Sequence, residues 1–247
     1  MTLYIGTSGW DYREWKPDFY PQDLPHALFL EHYGSRLTAC EVNTTFYGLQ
    51  SEQTIEKWAA STPESFRYSS KAHRRITHGR SMAPDEGRAE FIQKYLKSVA
   101  PLGNRLGAIL LQYPPKRERD DDALEALLDF LSPEHRYAFE FRHESWEQPE
   151  IRERIARANA TVCLASTTGE VPDVLPPGPL AYVRLRTERY TDEQREGWLR
   201  LLQREAQTRD VFAFTKHEGI PADDPYGGIG LAQWLRAKAV SDSNETG

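Results

Sequence analysis

Eight short apolar runs alternating with longer stretches of helical character predict an α/β fold, a single closed (β/α)8 barrel of the TIM type with an irregular sixth βα unit. Two further observations point the same way. A chain of 247 residues has the usual length of such a barrel built as one domain. Closure also removes both edges that an open parallel sheet would leave unpaired. The barrel is expected to span residues 1–239, and the polar stretch 240–247 is expected to fray.

The first strand is read at Leu3–Thr7, followed by a helix over 25–33 that stops at Gly34. The second strand covers 39–43, and Ser51 caps a helix over 51–60. Arg67–Lys71 is the third strand, followed by a helix over 85–99 and a turn at Gly103. The fourth, 108–112, runs into Pro114-Pro115 and then a helix over 120–130 whose three leading aspartates suit the positive end of the helix dipole. The fifth strand, 137–141, precedes a helix over 150–159. After the sixth, 161–165, residues 169–179 are rich in proline and glycine, so a loop or short turn replaces the helix. The seventh strand, 181–185, leads to a helix over 191–208 started by Thr191, Asp192 and Gln194. The eighth, 211–214, is followed by a last helix near 230–239.

Bulk properties narrow the function classes. The chain has no apolar run of about 18 residues, so no membrane-spanning helix is expected. Its opening residues are interrupted too soon to serve as a signal peptide. Cys40 and Cys163 sit inside strand segments and read as buried thiols, which fits a cytoplasmic protein. The net charge of −6 argues against a protein that coats nucleic acid, though it allows a locally basic cleft.

Barrels gather chemistry at the C-terminal ends of their strands, where the βα loops converge. The strand ends here carry an unusual polar set. Period-two alternation puts Glu41 with Asn43, Glu140 with Arg142, and Arg184 with Arg186 on one face of their strands. Cys40, Val42, Phe139, Phe141, Val183 and Leu185 take the other face, toward the helices. The polar set, joined by Lys71 and Gln112 at the third and fourth strand ends, is expected to point into the barrel mouth. Burying so many charges costs several kcal/mol per ion unless hydration or a ligand recovers it. Cations outnumber anions in this set, so a small anionic ligand, phosphorylated or carboxylated and sugar-like in one variant, is the expected substrate.

Within that reading Glu41, Glu140 and Lys71 are the catalytic candidates, the glutamates as paired acid and base. Arg142 and Arg184, with Lys71, would hold an oxyanion or phosphate. Asn43, Gln112, His78 and His143 are candidate polar contacts, and Trp10, Tyr47 and Trp146 candidate stacking surfaces. The competing reading is a structural ion network in which Glu41 and Glu140 only neutralise the cations. No metal or other cofactor is expected. His73 and His78 lack the helical spacing of a metal pair, and strand ends supply no further His or Asp set. The glycine-rich 226–230 reads as a plain turn, since Asp223 and Asp224 would repel a phosphate there. The enzyme class stays open among hydrolase, lyase and isomerase. Two non-enzymatic alternatives also stay open. One is a binding module for a nucleotide or nucleic-acid end, using Lys71, Arg74, Arg75, His78 and Arg80. The other is a ligand-binding barrel without chemistry. The oligomeric state is left undetermined.

Several of these stretches occur in a recognisable order. They are Gly6-Thr7-Ser8-Gly9-Trp10, Glu41-Val42-Asn43-Thr44-Thr45-Phe46-Tyr47, and Lys71 with Ile76-Thr77-His78. They continue with Leu110-Leu111-Gln112-Tyr113-Pro114-Pro115, Glu140-Phe141-Arg142-His143-Glu144-Ser145-Trp146 and Tyr182-Val183-Arg184. Together they span nearly the whole chain and resemble the YecE-like family, a domain-of-unknown-function group. The resemblance implies a TIM barrel and brings no activity with it. The chain departs from that pattern at Ser166, Arg186-Thr187 and Lys216-His217, where such proteins usually carry aspartate, His-Gly and an Asn pair. The resemblance therefore implies that the mouth half from strands one to five is kept, while the half from six to eight is remodelled.

Overall fold

The computed structural model describes residues 1–216 and 218–245. Its nine strands are β1 Leu3–Thr7, β2 Ala39–Val42, β3 Arg67–Lys71, β4 Leu106–Gln112, β5 Tyr137–Glu140, β6 Thr161–Val162, β7 Leu164–Ser166, β8 Leu180–Leu185 and β9 Asp210–Thr215. Every pairing is parallel, in the order β6-β5-β4-β3-β2-β1-β9-β8-β7. The two ends of this ladder, β6 and β7, are separated only by Cys163, whose N–H still donates to Phe139 O at 2.8 Å. The sixth strand expected at 161–165 is thus two short strands. The first pairs with β5 and the second with β8, so the chain itself carries the sheet across the seam of a nearly closed barrel.

The helices are α1 Phe29–Arg36, α2 Glu52–Ala60, α3 Arg74–Thr77, α4 Glu86–Val99, α5 Asp121–Phe130, α6 Pro149–Arg157, α7 Asp192–Glu205 and α8 Gly228–Glu245. Their starts follow local chemistry. Ser51, Asp85, Asp120 and Thr191 each accept a backbone N–H from the first turn, and Thr191 with Gln194 completes a reciprocal capping box. Pro149 begins α6 one residue earlier than expected, because its fixed φ suits a first helical position. His26–Leu28 turn as a 3-10 segment ahead of α1. The short α3 was not anticipated, and His73 Nδ1 caps it by accepting from Arg75 N at 3.1 Å. Residues 167–179 run as a loop with Gly169 and Gly178 at positive φ, which is the irregular sixth unit. The last helix continues past 239 to Glu245, since no glycine or proline interrupts it. Thr246 and Gly247, the end of the stretch expected to fray, lie outside the described residues, as does His217.

Side chains separate into layers as the alternation requires. Tyr4, Ala39, Ala108, Leu110, Ala138, Cys163, Leu180, Tyr182, Phe212 and Phe214 fill the barrel interior, with Tyr4 stacked on Phe212 at 4.8 Å. Two outer clusters pack the opposite strand faces against the helices, one around Ile5, Cys40, Val42 and Leu202, the other around Ile109, Leu111, Phe139 and Ile151. Gly6 permits close approach between the layers. A Cβ there would lie 1.8 Å from Ala39 O, and without one Tyr33 OH reaches both Thr7 N (2.8 Å) and Ala39 O (2.9 Å). Cys40 and Cys163 are buried free thiols whose proton affinity burial raises. Among the described residues no helix is long and apolar enough to cross a membrane.

Candidate functional site

Above the apolar interior, five of the strands make one or two polar steps inward. They are Glu41 on β2, Ser69 and Lys71 on β3, Gln112 on β4, Glu140 on β5, and Tyr182 and Arg184 on β8. Arg184 holds the centre. Its Nη2 donates to Glu41 Oε1 at 2.8 Å and its Nη1 to Glu140 Oε2 at 2.7 Å. One guanidinium therefore bridges carboxylates from two different strands. All three residues are sealed from solvent, at 0% exposure for Glu41 and 3% each for Glu140 and Arg184.

The remaining acceptor capacity is taken up. Glu41 Oε1 also accepts from the Ser8 hydroxyl at 2.9 Å and, at a longer 3.4 Å, from the Asn43 amide. Glu41 Oε2 accepts from Tyr182 OH at 2.8 Å, and Ser69 in turn donates to Tyr182 OH at 2.6 Å. Glu140 Oε1 accepts from Gln112 at 2.8 Å and from Arg142 Nε at 3.0 Å. Burial pushes the Glu41 carboxyl up, but Arg184, Arg186 and the hydrogen bonds from Tyr182 and Arg184 outweigh it and hold it at about 2. Glu140 is likewise held below the usual carboxylate range against burial, by Arg184, Gln112 and Arg142. Burial pulls Arg184 down, and the two carboxylates reverse that and raise it well above its ordinary value. The trio is ionised throughout the neutral range.

The rim around this trio is cationic and open. Arg142 keeps 44% of its side chain exposed. Arg186 donates from Nη1 to Ser8 Oγ at 3.1 Å and lies 3.5 Å from Glu218. Lys71 ends β3, and its carbonyl accepts from the Thr45 hydroxyl at 2.8 Å, which clamps the 3-10 turn Thr44–Phe46 beside it. That clamp presents the Phe46 ring to Lys71 Nζ, 4.4 Å from the ring centroid. Among the described residues no carboxylate lies within ion-pair distance of Lys71. Burial, Arg184 and Arg142 pull its pKa down to about 8, against the upward pull of Glu41 and Glu140. His78 stands at the edge, exposed, its ring edge-on to Phe46 at 5.1 Å and its Nδ1 2.9 Å from the Thr77 hydroxyl. Burial, then Lys71, Arg142 and Arg117, lower its pKa. Two buried polar atoms here, Asn43 Oδ1 and Arg184 Nε, have no hydrogen-bond partner among the described residues.

Other candidates stand apart from this cluster. Trp146 is buried in the outer layer, stacked on Phe141 at 4.2 Å, and its indole N–H donates to Arg117 O at 2.8 Å. His143 Nδ1 pairs with Ser145 Oγ at 2.9 Å and caps the 3-10 turn Glu144–Trp146. Trp10 packs edge-on against Trp58 at 5.2 Å, lining a cleft of about 490 Å³ outside the barrel. Tyr47 is 71% exposed and touches Phe46 edge-on. A second cleft, about 720 Å³, runs between α5 and α6, also away from the mouth. Glu41, Asn43, Lys71, Gln112, Glu140, Arg142 and Arg184 are the candidates brought together, with His78 at their edge. Ser8, Ser69, Tyr182 and Phe46 join them unanticipated. Ser69 had a readable signal, since it lies two residues before the inward Lys71 on its strand, whereas Tyr182 shares the phase of Arg184 but reads as core. Among the described residues no three His, Cys, Asp or Glu side chains come close enough to share a metal ion.

The family described as "Protein of unknown function DUF72" matches residues 4–245. The chain belongs to the DUF72 family. This DUF72 protein is similar to the UPF0759 protein YunF of Bacillus subtilis (strain 168), 27% identical over 260 residues that cover 90% of the chain and 91% of YunF. It is similar to the UPF0759 protein YecE of Escherichia coli (strain K12), 28% identical over 142 residues, 57% of the chain and 48% of YecE. Among solved structures it resembles a DUF72 family protein from Thermotoga maritima MSB8, with a TM-score of 0.75 at 21% identity, covering 98% of the chain and 100% of that protein. A D-psicose 3-epimerase solved in the presence of D-fructose shares the fold more loosely, with a TM-score of 0.55 at 13% identity over 98% of each chain. These structural likenesses concern the fold alone, and they agree with the TIM-type barrel described above. The YecE-like motifs of this DUF72 protein also acquire a spatial meaning, because Ser8, Glu41, Lys71, Gln112, Glu140 and Arg184 come from six of those stretches and meet at one mouth.

Proposed function

We propose that this DUF72 protein is a metal-independent enzyme that takes a small anionic substrate, carrying a phosphate or carboxylate, at the barrel mouth. The observation that carries this reading is the division of charge. The oxygens of Glu41 and Glu140 are consumed by Arg184, Arg142 and their neutral neighbours, Arg186 lies 3.5 Å from Glu218, and Lys71 is left over the Phe46 ring, so four cations face three carboxylates. A second anion supplied by the substrate would balance that excess, and a divalent cation would be repelled by it. The orphaned Asn43 Oδ1 adds an acceptor for a substrate hydroxyl or amine.

The roles within the site follow from protonation. Glu41 and Glu140, held ionised and saturated, serve as fixed charges that position Arg184 and Arg142 better than as an acid and base. Lys71, poised near 8, is the group suited to moving a proton in the neutral range. A nucleotide or nucleic-acid end would need open ring faces to stack on. Trp146 is buried and Trp10 packs on Trp58, which leaves Tyr47 as the exposed ring of the three stacking candidates, so that alternative is less well supported.

Calorimetric titration with inorganic phosphate tests the reading. Binding should weaken about tenfold in Arg142→Ala and in Arg186→Ala, the value of one lost charge-assisted hydrogen bond, and should fall as salt rises. Phosphate binding that ignores both substitutions, or no anion binding at all, would overturn it.

A further inference from the structure

Among the described residues, the Lys71 ammonium is the one cation of the mouth cluster that has no carboxylate within ion-pair distance. Glu41 Oε1 serves Ser8, Arg184 and Asn43, and its Oε2 serves Tyr182. Glu140 Oε1 serves Gln112 and Arg142, and its Oε2 serves Arg184. Guanidiniums fork onto carboxylates better than a point-charge ammonium does, so they win these oxygens. Lys71 Nζ is left over the face of Phe46, beside Arg184 and Arg142, in a partly buried position at the open end of β3. The last β2–β3 pair is Val42 with Ser70, and Asn43 follows as the N-cap of the 3-10 turn that the Thr45 hydroxyl ties to the Lys71 carbonyl. The buried Asn43 Oδ1 is the orphaned acceptor of the site.

We infer that Lys71 is a nucleophile that forms a Schiff base with an aldehyde or ketone bearing a carboxylate or phosphate. Burial and the flanking Arg184 and Arg142 favour the neutral amine, whose lone pair is the attacking group, against the opposing pull of Glu41 and Glu140. The lone pair forms the new N–C bond at the carbonyl carbon, and the C=O π pair moves onto oxygen. A proton passes from nitrogen to that oxygen, giving a carbinolamine whose N–H or O–H can donate to Asn43 Oδ1. The C–O bond then breaks, the oxygen leaves as water with a proton drawn from solvent at the open mouth, and the nitrogen lone pair completes C=N⁺. Nothing is oxidised or reduced. The resulting iminium is again a cation, suited to the Phe46 face and to the fixed charges of Glu41 and Glu140. Arg142 and Arg186 take the anionic group of the substrate.

This inference rests on the anion-binding reading, and the test separates the two. The full-length protein is incubated near pH 7.5 with pyruvate, with dihydroxyacetone phosphate or with neutral acetone, then reduced with borohydride and mapped by peptide mass spectrometry. Phosphate and pyruvate binding are measured in parallel without reductant. Adducts should concentrate on the Lys71 peptide by roughly tenfold or more over other lysines, because an amine of lowered pKa is neutral far more often. They should be scarcer with acetone and absent from Lys71→Arg, whose thermal melt shows that it folds. Preference for pyruvate or for the phosphate ester would identify the anionic group. Adducts that are absent, or spread evenly over surface lysines, while phosphate binding persists would overturn the Schiff base and leave the anion site standing. Failure of both anions to bind would overturn both.

Discussion

Replacing Lys71 with methionine should stabilise the protein at neutral pH, although it removes a charged residue from a charged cluster. The folded state lowers the pKa of Lys71 from 10.5 to about 8, and that shift corresponds to a penalty of about 3 kcal/mol on holding the ammonium there. Lys71 is only partly buried, so solvent screening reduces the figure to roughly 1–2 kcal/mol. The cation–π contact with Phe46 that the substitution removes offsets about 0.5–1 kcal/mol, and methionine keeps much of the packing on the ring. A net gain of about 1 kcal/mol remains, equivalent to a rise of about 2–4 °C in melting temperature for a chain of this size. The pH dependence has a definite sign. The unfolded chain binds the proton more tightly than the folded one, so wild-type stability climbs as pH rises from about 8 to 10.5. The penalty is full below that window and gone above it. Thermal melts of both proteins followed by circular dichroism, from pH 7 upward, should show the variant ahead at neutral pH and the gap closing by the top of the window. A variant that melts lower at pH 7, or a gap indifferent to pH, would refute the reasoning.

The satisfied part of the cluster should respond in the opposite direction. Glu41→Gln leaves Arg184 buried with half its charge compensation and should cost about 3–5 kcal/mol in chemical denaturation. Wild-type stability should also fall as pH drops from 4.5 toward 2, where a carboxylate held at about 2 in the folded state gives up roughly 3 kcal/mol, and Glu41→Gln should lack that component in the same titration. Tyr182→Phe removes the donor to Glu41 Oε2 and the acceptor of Ser69, so a loss of about 1–3 kcal/mol is expected. Trp146→Ala should cost about 3–5 kcal/mol of stability, yet leave phosphate affinity at the mouth unchanged, because the indole packs on Phe141 in the outer layer. A large loss of phosphate affinity in that variant would show that the outer-layer assignment is wrong.

How much of this was legible in the sequence depended on whether a residue lay on a strand. Along β2, β5 and β8 the period-two alternation constrains every side chain, so the inward phase of Glu41, Glu140 and Arg184 could be read without coordinates. Tyr182 shares that phase with Arg184, but a tyrosine within Leu180–Leu185 reads as core, and only its hydroxyl contact with Glu41 reveals its polar role. Loops carry no such phase. Trp10, Tyr47 and Trp146 looked alike as mouth aromatics; Trp58 draws Trp10 to a cleft and Arg117 O ties Trp146 into the outer layer, while Tyr47 touches only its neighbour Phe46 among the ring contacts of the described residues and stays exposed. The break at Cys163 was hidden for a related reason. Residues 162–165 form a continuous apolar run, and the split arises because one end of 161–165 pairs with β5 and the other with β8. The isolation of Lys71 was equally hidden, since it depends on which cations occupy the carboxylate oxygens, a competition settled by side-chain geometry.

The protonation of Lys71 itself tests the account most directly. Lysine amines carrying ¹³C-methyl labels introduced by reductive methylation can be titrated one by one by NMR, with Lys71→Arg identifying the resonance. Lys71 should titrate near 8 in the free protein, and inorganic phosphate should drive that value upward as a bound anion supplies the missing counter-charge. A Lys71 that titrates like the other lysines and does not respond to phosphate would contradict both the anion site and the unpartnered amine on which it depends.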